Sequence, residues 1–184
     1  MNLLSAALAV SATLFYVFVY TLWLKRTSTR NIVIGGAAGA MPVLIGWTAV
    51  TGHLAWAPVV LFAVIFYWTP PHFWALAIRY KDDYAAADVP MLPAVASFHT
   101  TAVRILLYTL TLWALTLVFD AVGHLGAIYL ASAVVLGAIF TYLALQVLRT
   151  ESPKQAMRLF TYSITYVTLL FGAMVVDVLV RHGV

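Results

Sequence analysis

The 184-residue sequence contains no cysteine, which excludes disulfides, thiolate metal ligands and thiol nucleophiles. Charge is almost as scarce. Asp, Glu, Lys and Arg make up 9% of the residues, where soluble domains carry about a quarter. Only six acids occur, and no Lys or Arg precedes Lys25. A cleavable secretory signal needs a basic n-region, so the apolar N-terminal run does not match one. There is no Walker loop, no GxGxxG ahead of a helix and no HExxH. No motif points to nucleic acid, and the net charge of +4 reads instead as the basic loops that orient a membrane protein.

What is present is hydrocarbon. The chain is 64% hydrophobic with a mean hydropathy of +0.99, far beyond a soluble domain. A bilayer core of about 30 Å needs about 20 helical residues. Six segments meet that length, at about Leu3–Leu24, Ile32–Val50, Ala55–Ile78, Ala102–Phe119, Leu125–Leu148 and Leu159–Val180. None alternates as a barrel strand does, and within lipid each backbone group needs an internal partner. The expected fold is all-α: a single domain over residues 1–184 built as a polytopic transmembrane helical bundle of about six spans.

The basic residues orient it. Lys25, Arg26 and Arg30 follow the first span, Arg79, Lys81 and Arg104 flank the third loop, and Arg149, Lys154 and Arg158 occupy the fifth. The intervening loops near Thr51–His53 and Asp120–His124 have no Lys or Arg, and only Arg181 lies on their side. By the positive-inside rule the Lys25, Asp83 and Lys154 loops are cytoplasmic and both termini are outside.

Against this background the stretch from Trp68 to Pro93, WTPPHFWALAIRYKDDYAAADVPMLP, stands out. Three of the six acids, Asp82, Asp83 and Asp88, fall within seven positions, next to Arg79 and Lys81. Magnesium takes one or two carboxylates and shares further ligands with a substrate's phosphates, which suits Asp82 and Asp83. A solvated loop balanced by Arg79 and Lys81 is the competing explanation. The apolar, proline-stiffened Val89–Pro93 tail favours a cap re-entering over a cavity. Tyr80 and Tyr84, spaced i, i+4, are expected on one helix face, beside a phosphate or in the interfacial aromatic belt.

Other candidates are more equivocal. His72 sits at membrane depth, where an ionisable residue is a functional hypothesis by default. It is suited to ligate iron, hydrogen-bond a substrate or move a proton; a satisfied interhelical hydrogen bond would explain it equally well. Lys25, Arg26 and Arg30 are suited to phosphate, although topology alone would account for them. Asn31 is placed to cap the second span or touch a ligand. The Gly35/Gly39 and Gly36/Ala40 pairs read as close helix packing. Pro42 and Pro70–Pro71 are expected to bend their helices. Thr161, Thr165 and Thr168 are expected to form a polar packing seam, and Asp177 with Arg181 to form a structural i, i+4 pair.

Two long blocks carry a family resemblance: YTLWLKRTSTRNIVIGGAAGAMPVLIGWTAVTG from Tyr20 to Gly52, and the Trp68–Pro93 stretch. A weaker third, ILLYTL, follows Arg104. The chain resembles the protoheme IX farnesyltransferases (haem O synthases) of the UbiA superfamily of intramembrane prenyltransferases over essentially its whole length. The resemblance implies a bundle of nine helices with two aspartate-bearing cytoplasmic loops, in a bacterial inner membrane. It implies transfer of a farnesyl group from farnesyl diphosphate to a vinyl group of haem b, with Mg²⁺ as cofactor, giving haem O for haem A biosynthesis. Haem b is then a substrate. Asp82 and Asp83 match the Mg²⁺–diphosphate loop, and Tyr84 and His72 are placed with them in the catalytic set. Lys25, Arg26, Asn31, Arg79 and Lys81 are expected to bind the diphosphate.

The sequence departs from that family in two places. The first family motif, of the form NDxxDxxxD, has no counterpart, and the match begins at what would be the fourth helix. The chain is therefore expected to be N-terminally truncated and poorly active alone. Its expected partners, beyond the bilayer, are a missing N-terminal segment or a haem A synthase. Asp88 stands where the family tends to have Gly or Asn; all three tolerate left-handed backbone. Two alternatives remain open: a UbiA-type enzyme with another acceptor, and a non-catalytic bundle or transporter fragment.

Overall fold

Long apolar runs leave backbone N–H and C=O groups no partner except their own segment, and helices result. The computed structural model describes residues 2–183. Its elements are α1 (Leu3–Thr27), α2 (Asn31–Thr51), α3 (Trp56–Arg79), α4 (Lys81–Ala86), α5 (Leu92–Val95), α6 (Phe98–Gly123), α7 (Ala127–Thr150) and α8 (Pro153–His182). Six of them, α1, α2, α3, α6, α7 and α8, are long and apolar enough to cross a membrane. The protein is an integral, multi-pass membrane protein, and the expected all-α bundle is what forms.

The helices overrun the expected spans where polar caps extend them past the apolar stretch. The α6 helix begins at Phe98 because Ser97 accepts a hydrogen bond from the Thr100 amide at 3.1 Å. The α8 helix begins at Pro153, whose missing N–H costs nothing in a first turn. Both α2 and α3 run unbroken through Pro42 and Pro70–Pro71.

The α3 helix is central. It packs against α2, α6 and α8, and the short α4 and α5 fold back on it. Its second half is the most buried stretch of the chain, with Thr69, Pro70, Pro71, His72, Trp74, Ala75, Ala77 and Ile78 all enclosed. The close approach of α2 rests on Gly36 and Ala40. A Cβ on Gly36 would sit 3.2 Å from the Thr69 side chain, and Ala40 is fully buried. Packing therefore accounts for this pair, while Gly39 faces open space.

Two features were not legible in the sequence. From Phe15 to Leu24 the first span is π-helical, a form seen mostly as single turns and often near functional sites. The Thr21 hydroxyl follows the wider winding and donates to the Tyr16 carbonyl at 2.8 Å. In addition, the expected threonine seam is not internal. Thr161, Thr165 and Thr168 are exposed, while the buried face of α8 runs through Ala156, Leu159, Ser163, Tyr166, Leu170 and Asp177. The Thr161 hydroxyl is satisfied by its own helix, donating to Met157 at 3.1 Å, so outward hydroxyls are tolerable without a partner helix.

Candidate active site

The Lys25, Asp83 and Lys154 loops gather at one end of the bundle. Ile32 at the start of α2 packs on Ala77 near the end of α3 and on Met91 ahead of α5. At the same end, exposed His99 and Glu151 meet at 3.0 Å, joining the start of α6 to the end of α7.

The acidic segment is built by a helix that stops and restarts. Tyr80, at φ −104° and ψ 23°, ends α3 and begins α4, and its carbonyl accepts from the Tyr84 amide at 3.1 Å. Tyr80 is exposed under the Arg79 guanidinium, 6.0 Å from its ring centre. Tyr84 turns inward against the Ile32–Ala77–Met91 cluster. Asp82 and Asp83 occupy the first turn of α4 and are exposed. Asp88 follows in left-handed conformation at φ 53°, which Asp tolerates better than most residues. The chain then dives: Met91 and Leu92 are buried and Leu92–Val95 forms α5 against α3. The Val89–Pro93 tail is thus an anchored cap.

Among the described residues, the carboxylates of Asp82, Asp83 and Asp88 have neither a hydrogen-bond nor an ion-pair partner within the chain. Two adjacent free carboxylates fit a hard cation that keeps waters and shares phosphate oxygens. They do not form a closed cage. No group of three or more His, Asp or Glu is placed to enclose a metal among the described residues. The donor set therefore fits Mg²⁺ as part of an open shell.

Basic groups stand across from this loop. Arg26, at the end of α1, lines a cavity of about 340 Å³ with Ala85, Asp88, Val89 and Pro90. Lys25 is exposed beside it, as are Arg79 and Lys81 on the acidic side. Asn31, expected to face the diphosphate, is 1% exposed. Its side chain donates to the Lys25 carbonyl at 3.3 Å and accepts from the Ile32 amide at 2.6 Å. It ties the Lys25 turn to α2 and so positions the cations.

His72 lies seven residues below Arg79 on α3, about 10 Å of helix rise. Its ring is stacked between Trp68, at 4.4 Å, and Phe160 of α8, at 4.6 Å. Its Nδ1 is 2.6 Å from the Ser163 hydroxyl oxygen, which is itself 2.6 Å from the Phe160 carbonyl. The hydroxyl has a single proton and a carbonyl cannot donate, so that proton goes to Phe160. His72 Nδ1 must then be the donor to Ser163. Nε2 is left as an unprotonated lone pair with no partner in the chain, and it is not among the fully enclosed unpartnered atoms. Trp68 reinforces the arrangement: its indole N–H donates to the Ser163 carbonyl at 2.8 Å.

Ser163 is the residue the sequence did not reveal. It lies 91 positions from His72, and nothing local separates it from the neighbouring hydroxyl residues of α8. Ser163→Ala is expected to leave a buried N–H unsatisfied and to destabilise the protein by about 1–3 kcal/mol. It should also release the tautomer, seen by ¹⁵N NMR of labelled His72 as a loss of the single protonated-Nδ1 signature.

Comparison with known proteins adds the context. The profile of the UbiA prenyltransferase family matches residues 1–173. A protein of Parafrankia sp. (strain EAN1pec) named protoheme IX farnesyltransferase is 58% identical over 177 residues, covering 94% of this chain and 56% of the relative. A protein of the same name from Frankia alni is 55% identical, covering 96% and 62%. Another of that name, from Synechococcus sp. (strain JA-2-3B'a(2-13)), is 54% identical, covering 96% and 54%. The chain thus spans a little over half the length of these relatives. No solved structure matches it.

Proposed function

The chain belongs to the UbiA prenyltransferase family, and from that premise we propose that it carries one half of the active site of a protoheme IX farnesyltransferase. The observation that carries this is the pair of free carboxylates, Asp82 and Asp83, at a helix restart, followed within the same segment by Ala85 and Asp88, which line a cavity with Arg26. The relatives' shared name supplies the substrates: farnesyl diphosphate as donor and protohaem IX as acceptor, with haem O as product. We place this end of the bundle at the cytoplasmic face of a bacterial cell membrane, because every Lys and Arg except Arg181 lies at it.

Each residue has a part. Asp82 and Asp83 would hold Mg²⁺, which when bound would neutralise charge on the departing diphosphate. Arg26 and Lys25 face the same diphosphate and stabilise it directly, and Arg79 and Lys81 add positive potential at the rim. Tyr84 wedges the root of the loop. The apolar helices below exclude water that would quench an allylic cation. The vinyl π electrons form the new bond to C1 of the farnesyl chain as the C1–O bond breaks. The resulting cation is discharged by losing a proton or by capturing water, and either route releases one proton. His72 Nε2, held as a free lone pair by Ser163, is the acceptor for it.

The test is haem extraction from cells that lack their own synthase and express this chain together with the preceding portion of a full-length relative. Haem O is expected. It should be scarce when the chain is expressed alone, because its sequence holds a single acidic cluster. A prenylated product other than haem O would overturn the acceptor assignment.

A further inference from the structure

A second cavity opens at the same end of the bundle, and both of its charged lining residues are arginines. It measures about 500 Å³ and is lined by Arg30 from the α1–α2 turn, Arg104 from α6, and Thr29, Trp74 and Tyr108. Two arginines from separate elements converge on it, and no acid lines it. The six acids of the chain are placed elsewhere. Asp82 and Asp83 belong to α4 and Asp88 follows it, Asp120 lies at the opposite end of α6 from Arg104, Glu151 is paired with His99, and Asp177 binds amides at the far end of the bundle. Among the described residues neither guanidinium has an ion-pair partner. One wall is aromatic, with the Trp74 and Tyr108 rings packed edge to face, their centres 5.2 Å apart. The indole N–H of Trp74, a residue 1% exposed, has no hydrogen-bond partner.

Resting on the acceptor reading above, we propose that this cavity binds the carboxylate arms of the tetrapyrrole. The proposed reaction brings together two anionic molecules, and the bundle offers two anion sites of different chemistry. The site beside Asp82 and Asp83 presents carboxylates, which repel a carboxylate ligand and suit a metal-bridged diphosphate. The Arg30–Arg104 site has only donors, and a guanidinium fork pairs with a carboxylate bidentately without a metal. Its aromatic and aliphatic walls, including Val33, suit the edge of a flat apolar macrocycle. The turn between α1 and α2 separates the two sites, so both substrates can be held at once with their polar ends on one rim.

The test uses the purified 184-residue chain in nanodiscs, titrated with protohaem and with protohaem dimethyl ester, whose carboxylates are blocked. The wild type is expected to bind protohaem about tenfold or more tightly than the ester. The double substitution Arg30→Gln/Arg104→Gln should erase that preference while leaving Mg²⁺-dependent binding of farnesyl diphosphate unchanged. Arg104→Lys, which keeps the charge and loses the fork, should fall between them and covers the case of a double variant that misfolds. Equal binding of acid and ester by the wild type overturns the inference, as does a preference that survives both substitutions. A preference that tracks the phosphatidylglycerol content of the nanodisc instead of the arginines also overturns it, and assigns the pair to a lipid headgroup. Binding of farnesyl diphosphate with no binding of protohaem at all would overturn the acceptor reading itself.

Discussion

Asp83→Ala is expected to abolish the Mg²⁺-dependent part of farnesyl diphosphate binding. In the complemented haem O assay it should lower product by about 10²- to 10³-fold, the range found when one preorganised electrostatic group is removed from a transition state. Asp82→Ala should act in the same direction. The reason lies in what these side chains do not do. Both are exposed, and neither has a partner within the described residues. Exposed substitutions away from caps and cores usually change stability by less than about 0.5 kcal/mol, so a large functional loss here would not come from unfolding. Thermal denaturation of the variants should therefore match the wild type. An Asp83→Ala protein that still binds farnesyl diphosphate with the same Mg²⁺ dependence would exclude the loop as the metal site.

Asp177→Ala should have the largest effect on stability, and its cause lies at the opposite end of the molecule. The sequence reads Asp177 and Arg181 as a structural i, i+4 pair; both are structural, but among the described residues no ion pair joins them. Asp177 is 1% exposed and turns away to the α6–α7 connection. It accepts hydrogen bonds from the backbone amides of Gly126 at 2.6 Å, Ile128 at 3.1 Å and Tyr129 at 3.3 Å. Arg181 donates to the His124 carbonyl in the same connection. The pair thus clamps a helix hairpin from outside. A carboxylate at the positive end of α7 satisfies orphan donors and opposes the helix dipole. Gly126 is needed for the approach, since a Cβ there would lie 2.8 Å from an Asp177 oxygen. Removing the carboxylate strands up to three amides, and the expected cost is about 3 kcal/mol. Asp177→Asn keeps one acceptor and should lose about half as much. Because the clamp is remote from Asp83, Mg²⁺-dependent farnesyl diphosphate binding should survive in whatever fraction stays folded. An Asp177→Ala protein as resistant to denaturant as the wild type would disprove the clamp.

These two residues show how differently the two ends of the chain can be read. Asp83 was legible from sequence because acids are rare here and three of them sit together at the end of an apolar run. Scarcity made the cluster conspicuous. Asp177 was equally rare and its structural role was legible, but not its partners, because i, i+4 spacing to an arginine is a local pattern while the amides it binds lie about 50 positions away. The Asp88 position behaved as its residue type allows, entering left-handed backbone at φ 53°.

By itself the sequence determined the class of the molecule. Hydrophobic runs of bilayer length force helices because lipid offers the backbone no partners, and the uneven distribution of Lys and Arg sets which ends lie together. It also located the acidic segment and the basic turn after the first span, since charge in an apolar chain is visible without coordinates. Tertiary structure alone decided which face of each helix is inside, and so turned the α8 threonines outward and Ser163 inward. It decided the π-helical winding of α1, which no residue type announces. It froze His72 in one tautomer through a serine 91 positions away, and it separated Arg26 from Arg30 into two cavities of different chemistry. The physical reason is common to all of these. Solvation acts on each segment independently and leaves its mark in the local sequence, whereas hydrogen bonds and packing between helices depend on pairs of residues whose distance along the chain carries no signal.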